Sequence, residues 1–472
     1  MSLPDHDGGF DLQSARSVHV VGAGGAGMSA IATVLAAMGK QVSGSDLKDS
    51  AALRRLEAVG VTVHVGHRAD HVGAVDAVAV STAVASSNPE VVAARARHIP
   101  VLRRAEILRA VCRTRRTVAV AGTHGKTTTS SMLALVLVEA GLHPSFLVGG
   151  DLNEVGGGAV WDAAHPEAPF VVEADESDGT FVELGARDVI VTNVEPDHLD
   201  HWGGFPALTA AFERFVRDAP GVHVVGVDEP GGAALAQRTG AVTYGTAPSA
   251  TWRMEGLETG RDGTRFRVLH DGADVAELVL AVPGVHNARN ALAATAMAAE
   301  LGAPVDAAER ALARYAGVAR RWQYRGEHAG ITFVDDYAHL PSEVATAIDT
   351  GRRGGWPRVV AVFQPHRFSR TAALWASFAD AFADADVVVV TDVYPAGEPA
   401  RPGVSGKLIV DAVLEAHPGA RVAWLPTRRD VVAYLVEALR PGDLCLTLGA
   451  GDLTALPDEV IAALGDGPDP RR

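Results

Sequence analysis

Lysine is nearly missing from this chain: Lys40, Lys48, Lys126 and Lys407 are the only four in 472 residues, and arginine supplies the rest of the basic charge. Whatever Lys126 does, few other lysines could substitute for it. Cysteine is as scarce. Cys112 and Cys445 lie far apart, each on an apolar segment, which excludes a disulfide framework or a cysteine zinc site and leaves buried thiols in a reducing compartment. Positive charge is also short, the net formal charge being -15, so a broad electrostatic grip on nucleic acid or an anionic membrane is excluded. Any anionic ligand must be held by local devices. No segment approaches the ~20 apolar residues of a membrane span. The first sixteen residues lack a basic stretch followed by an apolar one, so no signal peptide is expected and the expected location is the cytoplasm.

What is present is a well-packed globular composition, 47% apolar with a mean hydropathy of +0.12. The length implies about three domains at roughly 100–200 residues each. Three sections each open with an apolar strand running into a glycine-rich turn, followed by alternating strand and helix patterns. The first begins VHVVGAGGAGMSAIATVL, the second TVAVAG, and the third near ITFVDDYAH, with boundaries near Arg115 and Arg320. TWRMEGLETGRDGTRFRVL alternates like an antiparallel hairpin, and the final GDGPDPRR carries too little apolar surface to order itself.

The segment TVAVAGTHGKTTTSSM is a phosphate-binding loop: Gly122, Thr123, His124 and Gly125 lead into Lys126, Thr127 and Thr128 at a helix start. Backbone N–H groups there cradle phosphate, the lysine reaches the β/γ-phosphates and the Thr127 hydroxyl ligates magnesium. The common spacing would place the first glycine at position 120, which is Val120; here it is Gly122, a tighter loop. Gly22, Gly24 and Gly27, with Gly25 between them and Asp46 ending the next strand, satisfy the dinucleotide fingerprint. Taken alone that pattern favours NAD or FAD, although another diphosphate or a purely structural turn would suit the same glycines. Glu173 ends the next β-branched run and can hold magnesium, or belongs to a solvated acidic turn. In VIVTNVEPDHLDHW, the cluster Asn193, Asp197, His198, Asp200 and His201 could bind a second divalent ion or merely tie the loop. His286, Asn287 and Asn290 precede a helix, where the amides could read an adenine edge or cap the helix. Arg320 and Arg321 could reach ATP or form a solvated linker pair. In the third section Asp335, Asp336, Tyr337 and His339 follow one strand and His366, Arg367 and Arg370 the next, a set suited to a carboxylate or to an internal ion-pair network.

Taken in order, VGAGGAGMS, SGSD, NPEV, AGTHGKTTT, EADESDGTF, TNVEPDHLDH, PGVHNARNALAA, DDYAHLPSE, FQPHRFSRT, DVYPAGE and GAGDLT resemble the segments of the Mur ligases of peptidoglycan synthesis, and among them the alanine-adding branch. The likeness covers nearly the whole chain. It implies an α/β protein of three domains: a Rossmann-like N-terminal domain at 14–115, a P-loop ATPase-like central domain at 116–318 and a Rossmann-like C-terminal domain at 319–465, with 466–472 a disordered tail. The implied activity is ATP-dependent joining of L-alanine to the lactyl carboxylate of UDP-N-acetylmuramate through an acyl phosphate. By the family pattern Lys126 serves the transferring phosphoryl, Thr127 and Glu173 hold one magnesium, and His198 helps to hold a second. Asn287, Asn290 and Arg320 join the ATP site. Gly22, Gly24, Gly25, Gly27 and Asp46 take the UDP-sugar diphosphate, so no nicotinamide is implied. Tyr337, His339, His366, Arg367 and Arg370 form the alanine and product-carboxylate site. The implied partners are those two substrates, with no nucleic acid and no membrane insertion, and a weak homodimer as the one self-association considered. Two departures stand out. Leu340 occupies the place of a second histidine in the family's DDYAHHP, and no lysine between Lys126 and Lys407 is available for the carbamoylated lysine of several sister ligases, a device the alanine-adding branch lacks.

Overall fold

Three sheets, each following one of the three apolar openings of the sequence, carry the architecture. The structure is a computed structural model and describes residues 10–152, 157–197 and 199–465. His198 and the tail at 466–472 lie outside the described residues. The first sheet comprises β1 (Ser17–Val21), β2 (Gln41–Asp46), β3 (Thr62–Val65), β4 (Ala77–Val80) and β5 (Val101–Arg103), all parallel, in the order β3-β2-β1-β4-β5. That order reverses between β1 and β4, whose carboxyl ends are the place where sheets of this kind bind ligands.

The second sheet has ten strands: β6 (Thr117–Ala121), β7 (Ser145–Leu152), β8 (Gly157–Val160), β9 (Phe170–Glu173), β10 (Asp188–Val191), β11 (His223–Gly226), β12 (Val242–Gly245), β13 (Trp252–Gly260), β14 (Gly263–His270) and β15 (Ala273–Leu280). Its order is β15-β14-β13-β12-β11-β10-β6-β9-β7-β8. Strand β6 is central, with β10 parallel on one side and β9 parallel on the other. Every residue of β6 is buried, as expected of a strand covered on both faces, which is why TVAVA reads as a continuous small apolar run. Two-residue connections join β13 to β14 and β14 to β15, the hairpin lengths that the alternating segment suggested.

The third sheet runs β16 (Gln323–His328), β17 (Ile331–Asp336), β18 (Arg358–Phe363), β19 (Val387–Val390), β20 (Val422–Trp424) and β21 (Asp443–Leu448), in the order β16-β17-β21-β18-β19-β20. Only β16 is antiparallel to its neighbour. Apolar side chains pack on both of its faces, Phe363, Leu446 and Val390 on one and Phe333, Val389 and Cys445 on the other. Both cysteines are buried free thiols.

By their contacts the described residues form two compact units. One holds the first sheet and most of the second, and the other holds residues 316 onward together with 258–264, which include the adjoining ends of β13 and β14, and 281–285. Within the first unit a single apolar cluster runs from Val18, Val20 and Leu35 to Phe170, Phe181 and Phe212. Among the described residues, no helix is long and apolar enough to cross a membrane.

Candidate active site

Three loops meet at the carboxyl edge beside β6. The phosphate loop follows β6, Glu173 closes β9 and Asn193 follows β10. Helix Lys126–Glu139 starts from Gly125 in a left-handed conformation (φ 79°), with no side chain capping it. Its first N–H groups are therefore left for an anion, and the helix dipole favours one there. Some helices elsewhere do carry a side-chain cap, Ser50, Asn88 and Thr427 each accepting a backbone N–H, whereas the helices that begin after Gly204, Glu229 and Pro304 do not.

The early glycine has a physical cause. Gly122 has φ 133°, and a Cβ there would lie 2.0 Å from Thr192 Oγ1 and 2.9 Å from its backbone nitrogen. The loop thus lies flat on the β10 loop and is tied down to it. His124 N donates to Asn193 Oδ1 (2.9 Å), Glu195 N donates to Thr123 Oγ1 (3.0 Å), and Thr192 Oγ1 donates to His124 O. Asn290 closes the loop from another side, its Oδ1 standing 2.5 Å from where a Gly125 Cβ would be. Asn287 and Asn290 are buried within the first turns of helix Val285–Glu300, one turn further into the helix than the sequence reading placed them.

Lys126 Nζ contacts Glu176 Oε2 (2.7 Å), Gly122 O (2.8 Å) and Thr123 O (3.3 Å). Burial lowers the lysine's pKa, but the carboxylates of Glu176, Asp175 and Glu173 outweigh it and hold the group above its ordinary value, as a firm cation. Burial drives Glu176 the other way for an acid, up to about 7, against the pull of Lys126. Glu173 Oε2 accepts Gly149 N at 2.7 Å, while the Thr127 hydroxyl has no hydrogen-bond partner among the described residues. A free hydroxyl and a carboxylate beside a phosphate cradle are hard oxygen donors, and they fit magnesium.

In the first domain, helix Ala26–Ala37 likewise begins from an uncapped glycine, Gly25. Gly22 (φ 80°) and Ala23 donate to Ser45 O, and Gly24 N donates to Asp46 Oδ2 at 2.8 Å. Asp46 therefore braces the glycine loop. Arg104, to which the sequence motifs give no role, projects its guanidinium to 3.0 Å from where a Gly27 Cβ would be; it makes no hydrogen bond or close ion pair among the described residues, and its charge helps to lower the Asp175 pKa.

In the second unit His339, His366 and Tyr337 come together. His339 lies 5.9 Å from His366 and 5.4 Å from Tyr337 between ring centroids, and His366 stacks on Tyr394 at 5.8 Å. Burial, then the neighbouring His339 and arginines, pushes His366 down to about 4, and burial also lowers His339. Both rings are neutral at pH 7, so the arginines are the cations of this cluster. Arg370 Nη1 lies 3.2 Å from His366 Nδ1. Arg367 adopts φ 69°, a rare conformation for a side-chain-bearing residue; its guanidinium makes no hydrogen bond or close ion pair among the described residues, with Glu398 the carboxylate that feels its charge. Arg320 is engaged locally. Its Nη2 donates to Gly449 O (2.5 Å) and Gly451 O (3.1 Å), its Nε stands 3.5 Å from Asp335, and its guanidinium covers the Tyr337 ring. Leu340, in place of the second histidine, is buried as the residue preceding helix Pro341–Arg353.

Three family models match this chain in the same order as its sheets: the Mur ligase family catalytic domain over residues 17–116, the Mur ligase middle domain over 120–298, and the Mur ligase glutamate ligase domain over 320–451. The UDP-N-acetylmuramate–L-alanine ligase of Kineococcus radiotolerans is 48% identical over 95% of this chain and 96% of its own length. Its counterpart in Myxococcus xanthus is 45% identical over 96% of both. The chain belongs to the Mur ligase family. A solved UDP-N-acetylmuramate-alanine ligase from Thermotoga maritima matches with a TM-score of 0.80 at 30% identity, covering 95% of this chain and 99% of that one. The three-domain α/β architecture of Mur ligases is thus the architecture here. Besides Arg104, Glu176 has no role assigned by the sequence motifs. Its only signal was membership in the acidic run EADESD, from which just Glu173 was singled out. Asn193 stands out in TNVEPDHLDH, but that it pins the phosphate loop depends on β10 lying beside β6, an adjacency no local motif encodes.

Proposed function

We propose that this Mur ligase joins L-alanine to the lactyl carboxylate of UDP-N-acetylmuramate at the expense of ATP, in the cytoplasm. Full-length relatives that bear the name of that activity, at 43–48% identity, carry the reading. A carboxylate is a poor electrophile, because its negative charge repels an incoming amine. Transfer of the γ-phosphoryl of ATP to a lactyl oxygen gives an acyl phosphate and ADP. The neutral amine of alanine then attacks the carbonyl carbon, and the tetrahedral intermediate expels inorganic phosphate as the amide forms. Positioning and charge neutralisation are the main tasks of the protein.

The residues suit those tasks. The backbone of Gly122 to Thr128 cradles the ATP phosphates and Lys126 meets the transferring phosphoryl. Asn287 and Asn290 are assigned to the adenine and Arg320 to ATP. Thr127, Glu173 and His198 would hold magnesium, which would neutralise phosphate charge. Gly22, Gly24, Gly25 and Gly27 receive the UDP diphosphate, with Asp46 bracing them. Arg367 and Arg370 pair with the carboxylate of alanine, and Tyr337, His339 and His366 shape that pocket without adding charge. The domain limits 14–115, 116–318 and 319–465 assign one substrate to each domain.

The test is ADP release by the purified protein. Release should require UDP-N-acetylmuramate and L-alanine together and should yield the amide product. Release with a muramyl-type tripeptide in place of alanine, and none with alanine, overturns the reading.

A further inference from the structure

A buried carboxylate without a role in the chemistry above lies against the phosphate loop. Glu176 is 1% exposed, and the Lys126 side chain that it contacts is 13% exposed. An ammonium has three N–H donors. All three of Lys126 have acceptors: Glu176 Oε2 at 2.7 Å, Gly122 O at 2.8 Å and Thr123 O at 3.3 Å. A phosphate oxygen can bond to Nζ only by displacing one of them.

The three bonds are unequal. The contact with Thr123 O is the longest, and its acceptor is neutral. Glu176 is a buried carboxylate whose only side-chain partner among the described residues is Lys126, and leaving such a group unpaired is the costliest of the three losses. The carbonyl of Thr123 therefore yields and Glu176 keeps its hold. Glu176 is itself fixed. Its backbone carbonyl accepts Trp202 Nε1 (3.0 Å) and Gly179 N (3.2 Å), and Phe181 beyond the turn is buried against Trp202, Phe212 and Phe215.

We infer that Glu176 is a positioning residue: it retains Lys126 when nucleotide binds and so aims the N–H released from Thr123 O at the transferring phosphoryl. This rests on the ATP-driven reading given above. It acts through the lysine and does not touch substrate.

Steady-state kinetics of the full chain with ATP, UDP-N-acetylmuramate and L-alanine test it, using the parent, Glu176→Gln and Glu176→Asp, with thermal melting of each. Assayed at pH 8, above the Glu176 pKa of about 7, Glu176→Gln keeps the shape and removes the charge. It should lower kcat roughly 10- to 100-fold, the scale set by misplacing a catalytic group, while KM for ATP stays within about threefold. Glu176→Asp restores the charge and should recover part of kcat, and both variants should melt close to the parent. Unchanged kcat, an effect confined to KM, or a loss that follows the unfolded fraction with no recovery in Glu176→Asp overturns the inference. A parent that releases no ADP with these substrates sinks the functional reading instead.

Discussion

Gly122 is where a sequence peculiarity becomes a steric necessity. Its φ of 133° is strained for any L side chain, and a methyl group would overlap Thr192 Oγ1, which holds Ala121 O and His124 O. Relief requires the loop to lift from the β10 loop, which would carry the N–H groups of the cradle with it. Gly122→Ala should therefore raise the KM for ATP by about tenfold or more, since lost loop alignment of 1–3 kcal/mol is expected from such strain. The far-UV circular dichroism should stay that of the parent. A KM within twofold of the parent's would show that the loop accommodates a Cβ. The displaced glycine was plain in the sequence, but its reason was not. Thr192 is seventy residues away in the chain and becomes its neighbour only because β10 pairs with β6.

At the scale of elements, one buried acid ties several segments of the first domain together. Glu90, in the first turn of helix Pro89–Ala96, is wholly buried and gathers groups from three strands and their loops. Ser45 Oγ donates to it at 2.5 Å, the Arg68 amide at 3.1 Å, and His71, His67 and His19 stand 3.0, 3.3 and 3.6 Å away. Burial alone would raise its pKa, but His19, Ser45 and the Arg68 amide together bring it down to about 2 from 4.5. A depressed carboxylate pKa stabilises the fold above the unfolded value and ceases to do so as pH falls through the folded one. Glu90→Gln should thus be less stable than the parent at pH 7, by about 1–3 kcal/mol for a buried charge-assisted bond. The gap should narrow between pH 4.5 and about 2. Urea midpoints measured across that range decide it, and a gap independent of pH refutes the role of the charge. The sequence offered NPEV only as one segment of a family likeness. The histidines that surround its glutamate, at positions 19, 67 and 71, have no common spacing and converge only in the fold. Strands β7 and β8 escaped the reading for a simpler reason, being rich in glycine, which dilutes the β-branched signal.

For the whole molecule, strong negative charge and anionic substrates make opposing demands, and uncapped helix starts, with the guanidiniums of Arg104 and Arg367 left without a hydrogen bond among the described residues, meet both. The alternation of strand and helix made the three α/β sections legible, because central parallel strands must be continuously apolar. The division by contacts was less legible: residues 258–264 and 281–285, from the β13 to β15 region, group with the C-terminal unit although they fall inside the second section of the sequence. Two units with separate apolar cores should unfold in two calorimetric transitions. The phosphate loop lies in the first unit, so a nucleotide bound there should raise that transition selectively, by about 2.7 kcal/mol at one hundred times its dissociation constant. L-Alanine should act on the transition of the second unit, which holds Arg367 and Arg370. Lys126→Ala ought to abolish the nucleotide effect and leave the alanine effect. If ATP moves both transitions equally in the absence of the other substrates, the two units are coupled more tightly than their separate cores imply, and the assignment of one ligand to each fails.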